Sequence, residues 1–235
     1  MPREKVNYRA EEIEVKYTEE QWNLFQRKRR HAKKVCKALH EHGIPILIYG
    51  STARGDVNEN SDLDILINAN IPPFRVELSL IQANLQIIGR EIVQATPSDV
   101  IKGHLYLSND TCMTIFLTRG KDLNYEFYKF SGSIDYKDLM KSKRVPGIDK
   151  SLTLVIPTEK GHKKMNLLGN EKYAVKILGI SPKIIKVRKR VLLKRDKVGR
   201  TGVFLHEMLQ ANESFGEVLK RISDRNSLVK RKIRQ

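Results

Sequence analysis

The chain has 235 residues, 40% of them apolar and 30% charged, with 44 Lys and Arg against 27 Asp and Glu for a formal charge of +17. That length suits one large domain or two small ones, and no run approaches the ~18 apolar residues of a membrane span. The start, MPREKVNYRAEEIEVKY, lacks the apolar segment of a secretory signal, while Cys36 and Cys112 are too few and too unpatterned for a disulfide framework or zinc site, so two buried thiols in a reducing cytoplasm are expected.

Glu12 to Lys16 alternates and predicts an edge strand. Thr18 to Gln21 reads as a capping box opening a helix. Trp22, Phe25, Ala32, Val35 and Leu39 make its packed stripe, and Arg27, Lys28, Arg29, Arg30, Lys33 and Lys34 a solvated basic face. His31, His40 and His42 fall here with nothing to make them ligands. Gly43 and Pro45 end the helix.

An apolar strand, Ile46 to Tyr49, then drives into Gly50-Ser51, a polar loop, and a second strand from Asp62 to Ile67. Strand side chains alternate faces, so Asp62 and Asp64 point one way and Leu63 and Ile65 the other. Two neighbouring carboxylates repel unless a cation sits between them, and such hard oxygen ligands suit Mg2+ (or Mn2+) together with substrate phosphates. Gly50 lets backbone approach a ligand. Ser51 and the amides after it are placed to donate to phosphate oxygens, above all if a helix opens at Thr52. The stretch predicts a metal-dependent site for a nucleoside triphosphate.

Pro72-Pro73 starts the next predicted helix, with Phe74, Leu78, Ile81, Leu85 and Ile88 as its stripe and Gly89 as its end. Glu91 to Ala95 predicts a third strand. His104 to Leu107 and Cys112 to Thr118 predict a hairpin around Ser108-Asn109-Asp110. Tyr125 to Phe130, YEFYKF, alternates and predicts a strand with core packing. Tyr136 to Lys141 predicts a short helix, and Lys143 to Lys150 a hinge, which divides the chain into 1–145 and 146–235.

Beyond the hinge, Leu152 to Ile156 predicts a strand stopped by Pro157, then a polar loop through Gly161 to Lys164. A helix over Glu171 to Leu178, a turn at Gly179 and a Ser181-Pro182 start to a second helix follow. Ile184, Ile185, Val191 and Leu192 form the packed face of that helix. Lys183, Lys186, Arg188, Lys189, Arg190, Lys194 and Arg195 cover much of the rest as a candidate nucleic-acid-binding surface. Short helix, turn and long helix look like a helix-turn-helix unit, with Lys197 to Phe204 as a turn or wing and Lys230 to Arg234 as a frayed tail. Charge supports this placement: Ser151 to Gln235 carries 21 basic and 7 acidic residues, a net of +14. One-sided charge of this kind marks a contact surface for a polyanion.

Gly50-Ser51, Arg54-Gly55 and Ser61-Asp62-Leu63-Asp64 resemble, in order and spacing, the signature of the DNA polymerase β-like nucleotidyltransferase superfamily. The resemblance is strong over Ile44 to Ile67 and looser over the first 130 residues. It implies a nucleotidyltransferase core, a small mixed sheet with helices on one side; with the smaller, basic, mainly helical C-terminal domain read beyond the hinge, the expected fold class is α+β. It implies transfer of a nucleoside monophosphate from an NTP to a hydroxyl acceptor. Asp62 and Asp64 would hold the metal as catalytic residues, and Gly50, Ser51 and Arg54 would bind the nucleotide. Members usually add a third carboxylate on a later strand. CMTIFLT, the strand best placed for it, has no acid, which leaves Glu91 and Glu126 as candidates. The basic end favours RNA, such as a tRNA, over DNA as acceptor. Two other readings stay open: a non-catalytic nucleic-acid-binding protein with a degenerate nucleotidyltransferase domain, and nucleotidylation of a partner protein or small molecule.

Overall fold

The computed structural model describes residues 12–108, 110–199 and 201–234. The leader reading of the first residues, Asn109 of the expected hairpin turn and Arg200 of the expected wing lie outside them.

In chain order the first elements are β1 (Ile13–Lys16), α1 (Glu19–Glu41), β2 (Ile46–Tyr49), α2 (Ser51–Arg54), β3 (Leu63–Ile67) and α3 (Pro73–Gln82). A hairpin-linked set follows: β4 (Ile87–Gln94), β5 (Lys102–Leu107) and β6 (Thr111–Phe116). Then come α4 (Asp122–Ser131), β7 (Ser133–Ile134), α5 (Tyr136–Met140) and β8 (Gly147–Ile148). The chain closes with β9 (Thr153–Thr158), β10 (Gly161–Asn166), α6 (Glu171–Leu178), α7 (Pro182–Val198), β11 (Leu205–Met208), α8 (Phe215–Arg225) and α9 (Ser227–Ile233). Helices and mixed sheets together make an α+β protein. No helix among the described residues is long and apolar enough to cross a membrane.

Contacts group the chain into two units. The first takes the described residues up to Lys33, then Ile48–Ser61 and Asp122–Thr201; the second takes Lys34–Leu47, Asp62–Lys121 and the described residues from Gly202 on. This grouping does not follow the division expected at 145/146. The supposed hinge holds β8, which pairs antiparallel with β9, and α4 packs on both β8 and α7. Those contacts tie 122–150 to the residues that follow.

The first unit carries an antiparallel sheet in the order β1-β10-β9-β8, with β1 at the edge as expected. The segment expected as a polar loop, Gly161 to Lys164, is strand β10. It pairs with both neighbours, His162 standing opposite Val15 and Pro157. Pro157 thus lies within β9 rather than stopping it. A core of Phe130, Leu154, Leu167, Ala174, Ile184 and Ile185 fills the space between this sheet and α4, α6 and α7. The turn between α6 and α7 has the expected punctuation: Gly179 takes φ 58 and the Ser181 side chain accepts from the Ile184 amide. YEFYKF is not a strand but most of α4. Tyr128 and Phe130 are buried there while Tyr125 is exposed, so packing overrides the β-preference of the aromatic residues.

In the second unit the strand order is β11-β4-β5-β6-β3-β2. β3 runs parallel to β6, whereas β4, β5 and β6 are successively antiparallel. Leu63, Ile65, Leu105, Met113, Ile115 and Ile92 are buried on one face. β11 and α8 carry no expectation from the sequence, and the tail expected to fray is helix α9, capped by the Asn226 side chain. The stripe expected to pack α3 is also corrected. Phe74, Leu78 and Ile81 are exposed, and Val76, Ser79 and Leu80 are buried instead. The expected stripe ran on to Leu85 and Ile88, but α3 ends at Gln82 and Asn84 turns the chain at φ 54. The helical phase had been set by residues outside the helix.

Candidate active site

In the first unit β2 ends at Tyr49, and Gly50 takes φ 79 as the chain turns into α2. That conformation suits glycine and strains other residues. The Gly50 amide donates to the Gly132 carbonyl at 3.0 Å. The amides of Ala53 and Arg54 both donate back to the Gly50 carbonyl at 3.0 Å. Two amides expected to face a phosphate therefore close the turn. The helix opens at Ser51, one residue before the expected Thr52, and Ser51 stays half-exposed.

Arg29 braces this turn. It is 1% exposed, which corrects its placement on a solvated face. Its Nε donates to Thr52 O at 2.8 Å and its Nη2 to Ala53 O at 3.1 Å and Lys143 O at 2.7 Å. The last carbonyls of a helix lack partners within it, and a guanidinium supplies them. Burial pulls the Arg29 pKa down to about 10, with Arg144 adding to the shift. The sequence did carry a signal. Phe25, Arg29, Ala32 and Cys36 are spaced four, three and four residues apart, so Arg29 sits inside the buried stripe of α1.

Arg54, expected to bind the nucleotide, is engaged within the protein. Its side chain is 5% exposed and forms a two-pronged pair with Asp56, Nε to Oδ1 and Nη2 to Oδ2, both at 3.0 Å. Its Nη1 donates to Ser131 O at 2.8 Å. Paired in this way it fixes the loop that follows α2. Glu126, a candidate third carboxylate, lies on α4 and is engaged with Ser181. Its Oε1 accepts from the Ser181 amide at 3.0 Å and its Oε2 from the Ser181 hydroxyl at 2.5 Å, which ties α4 to the start of α7.

In the second unit Asp62 is exposed just ahead of β3, and Asp64 is half-buried within it. Leu63, Ile65 and Ile67 are buried on the opposite face, as the alternation predicts. Asp64 stands in register with Cys112 of β6, and Cys112 with Tyr106 of β5. Thr114, His104 and Glu91 form the next cross-strand row on the same face. The face that carries Asp64 is thus largely polar, and is closed at Leu66 and Thr114, which are buried.

Its neighbours are held uncharged. Burial, then the charges of Asp64, Glu91 and Asp62, push the Cys112 thiol up to about 12. Burial takes His104 down to about 4 against the pull of Glu91, and its Nδ1 lies 3.1 Å from the Thr114 hydroxyl. Glu91, the other candidate third carboxylate, is held by its own partners. It stands on β4, three strands from β3 in the sheet order, or roughly 14 Å at the usual strand spacing. It accepts from the Tyr106 hydroxyl at 2.5 Å and pairs with His206 Nε2 at 2.7 Å.

Among the described residues no group of three or more His, Cys, Asp or Glu is arranged to hold a metal ion. What β3 offers is two carboxylates. That donor set fits a Mg2+ whose other positions go to nucleotide phosphates and water.

Two of the seven cations named on α7 have these partners. Arg188 lies over the Phe127 ring at 4.7 Å, and burial followed by Arg195 lowers its pKa to about 10. Lys189 pairs with Glu171 at 2.6 Å. Lys183, Lys186, Arg190, Lys194 and Arg195 are exposed.

Residues 29–115 match the family model described as a nucleotidyltransferase domain. No curated protein and no solved structure matches the chain. The matched segment begins at Arg29, contains the Gly50-Ser51 turn and both acids, and ends in β6. That segment is similar to nucleotidyltransferase domains, and an NTP is the substrate that such a domain implies.

Proposed function

We propose that this chain transfers a nucleoside monophosphate from an NTP to a hydroxyl of a structured RNA, such as a tRNA, in a Mg2+-dependent reaction. The observation that carries the reading is the order Gly50-Ser51, then Asp62-Leu63-Asp64, inside the matched nucleotidyltransferase segment. The acceptor oxygen forms a bond to the α-phosphorus as the bond from that phosphorus to the bridging oxygen breaks. Pyrophosphate leaves, and the hydroxyl proton passes to water.

Asp62 and Asp64 hold the metal, and Gly50 and Ser51 meet the β- and γ-phosphates. When bound, Mg2+ neutralises charge on the phosphates during transfer. Arg54 and Arg29 act at one remove by holding the turn. The exposed cations of α7 dock the acceptor.

A second reading, a nucleic-acid-binding protein whose nucleotidyltransferase domain is degenerate, is favoured by one observation. The β6 residue in register with Asp64 is Cys112, a thiol held protonated, and not an acid. Radiolabelled NTP with Mg2+ and a panel of RNAs, DNAs, proteins and small molecules separates the readings. Label should pass to RNA, and Asp64→Ala should abolish transfer while leaving the unfolding midpoint unchanged. Label on a protein or small molecule would overturn the RNA acceptor. No label on anything, with salt-sensitive nucleic-acid binding intact, would establish the degenerate domain.

A further inference from the structure

We propose that a cleft in the second unit, walled by Lys121, Arg231 and Lys232, is a phosphate-binding site distinct from the Asp62–Asp64 end of β3. The cleft has a volume of about 340 Å³ and is lined by Pro97, Ser98, Lys121, Leu228, Arg231 and Lys232. Pro97 and Ser98 follow β4, Lys121 follows β6, and the other three lie on α9.

Topology sets its position within the unit. β4 and β6 are both antiparallel to β5, so their C-terminal ends emerge together. β3 is parallel to β6, and Asp62 precedes its first residue. The acids therefore stand at one end of the strands and the cleft at the other. From Cys112, beside Asp64, to Phe116 alone is roughly 13 Å of strand.

The lining chemistry names the ligand. Three cations meet with no carboxylate among the lining residues. Lys232 is only 6% exposed, and among the described residues no ion pair or hydrogen bond engages its ammonium. With no carboxylate among the lining residues, a group that enters the cleft meets positive charge only, which favours an anion. An Arg fork and Lys ammonium groups suit a phosphate, the fork binding two oxygens and each ammonium acting as a point charge. The volume, on the order of ten waters, exceeds one phosphate group and leaves room for what the phosphate is attached to. A free phosphate and a backbone phosphodiester share this chemistry.

The test is calorimetric titration of the full chain with inorganic phosphate and, separately, with a short RNA oligonucleotide. At least one should bind, and Lys232→Met and Arg231→Gln should each weaken that binding about tenfold. Binding of free phosphate assigns a small anion; binding of RNA alone assigns the backbone. Lys232→Met keeps the packed stem of the side chain. Should it fail to fold, the exposed Arg231 decides alone. No binding of either probe, or binding that Arg231→Gln leaves unchanged, overturns the proposal. Asp64→Ala should leave this binding intact, so loss of the nucleotidyl-transfer reading would not remove the site.

Discussion

Arg29 illustrates what a buried cation does when its partners are carbonyls and not carboxylates. Its three hydrogen bonds reach the end of α2 and Lys143, while its Nη1 has no partner. Its guanidinium carbon also lies over the Phe25 ring, 4.9 Å from the centroid. Hydrogen bonds from a charged donor are worth more than neutral ones, and removing the donor leaves buried acceptors without water. Arg29→Met should therefore destabilise the protein by about 3 kcal/mol. The urea midpoint should fall with the slope unchanged. Arg29→Lys should rescue little, because one ammonium cannot reproduce the fork. A loss for Arg29→Met within the ordinary surface range of about 0.5 kcal/mol would show that the turn after β2 holds without it.

At the scale of elements, α3 separates apolar composition from burial. Phe74, Leu78 and Ile81 repeat at helical spacing and are exposed, whereas Leu80 and Val76 are fully buried. Ser79 joins the buried side because its hydroxyl donates to Arg75 O at 2.8 Å. Leu80→Ala should cost about 2–5 kcal/mol, and Phe74→Ser or Ile81→Ser less than about 0.5 kcal/mol, read from thermal unfolding. The reverse order would restore the face expected from the sequence. The same helix marks what the sequence could show. β2, β3, α1, α6 and α7 were legible because each has its own punctuation or alternation, and the Gly-Ser and Asp-x-Asp residues sit at those boundaries. α4 was not, because Tyr and Phe favour strands until a neighbour such as α7 buries one side of a helix. α8 was legible but overlooked: Ser214 and Glu217 form a reciprocal capping box. For the site, the acids could be read from spacing alone. That Arg54 pairs with Asp56, and Glu126 with Ser181, depends on residues brought together by the fold.

Charge acts on the whole molecule. The last 85 residues hold a net of +14, but the excess is not all available to a ligand. On α7, Lys189 is paired with Glu171 and Arg188 lies on Phe127, while Lys183, Lys186 and Arg190 are exposed. A phosphate displaces counterions only from cations that it can reach, and each such contact steepens the salt dependence of binding by about one unit of logarithmic slope. Neutralising Lys186 and Arg190 together should flatten the slope of RNA affinity against salt by about two. Lys189→Gln should leave that slope nearly unchanged and act through the lost pair with Glu171. The measurement is RNA affinity by fluorescence anisotropy over a series of salt concentrations. Equal slopes for the double variant and the unaltered chain would remove α7 as the acceptor surface, because a helix that contributes no counterion release makes no phosphate contact. A large effect from Lys189→Gln alone would mean that the Glu171 pair opens when RNA binds, freeing Lys189 to make the contact itself.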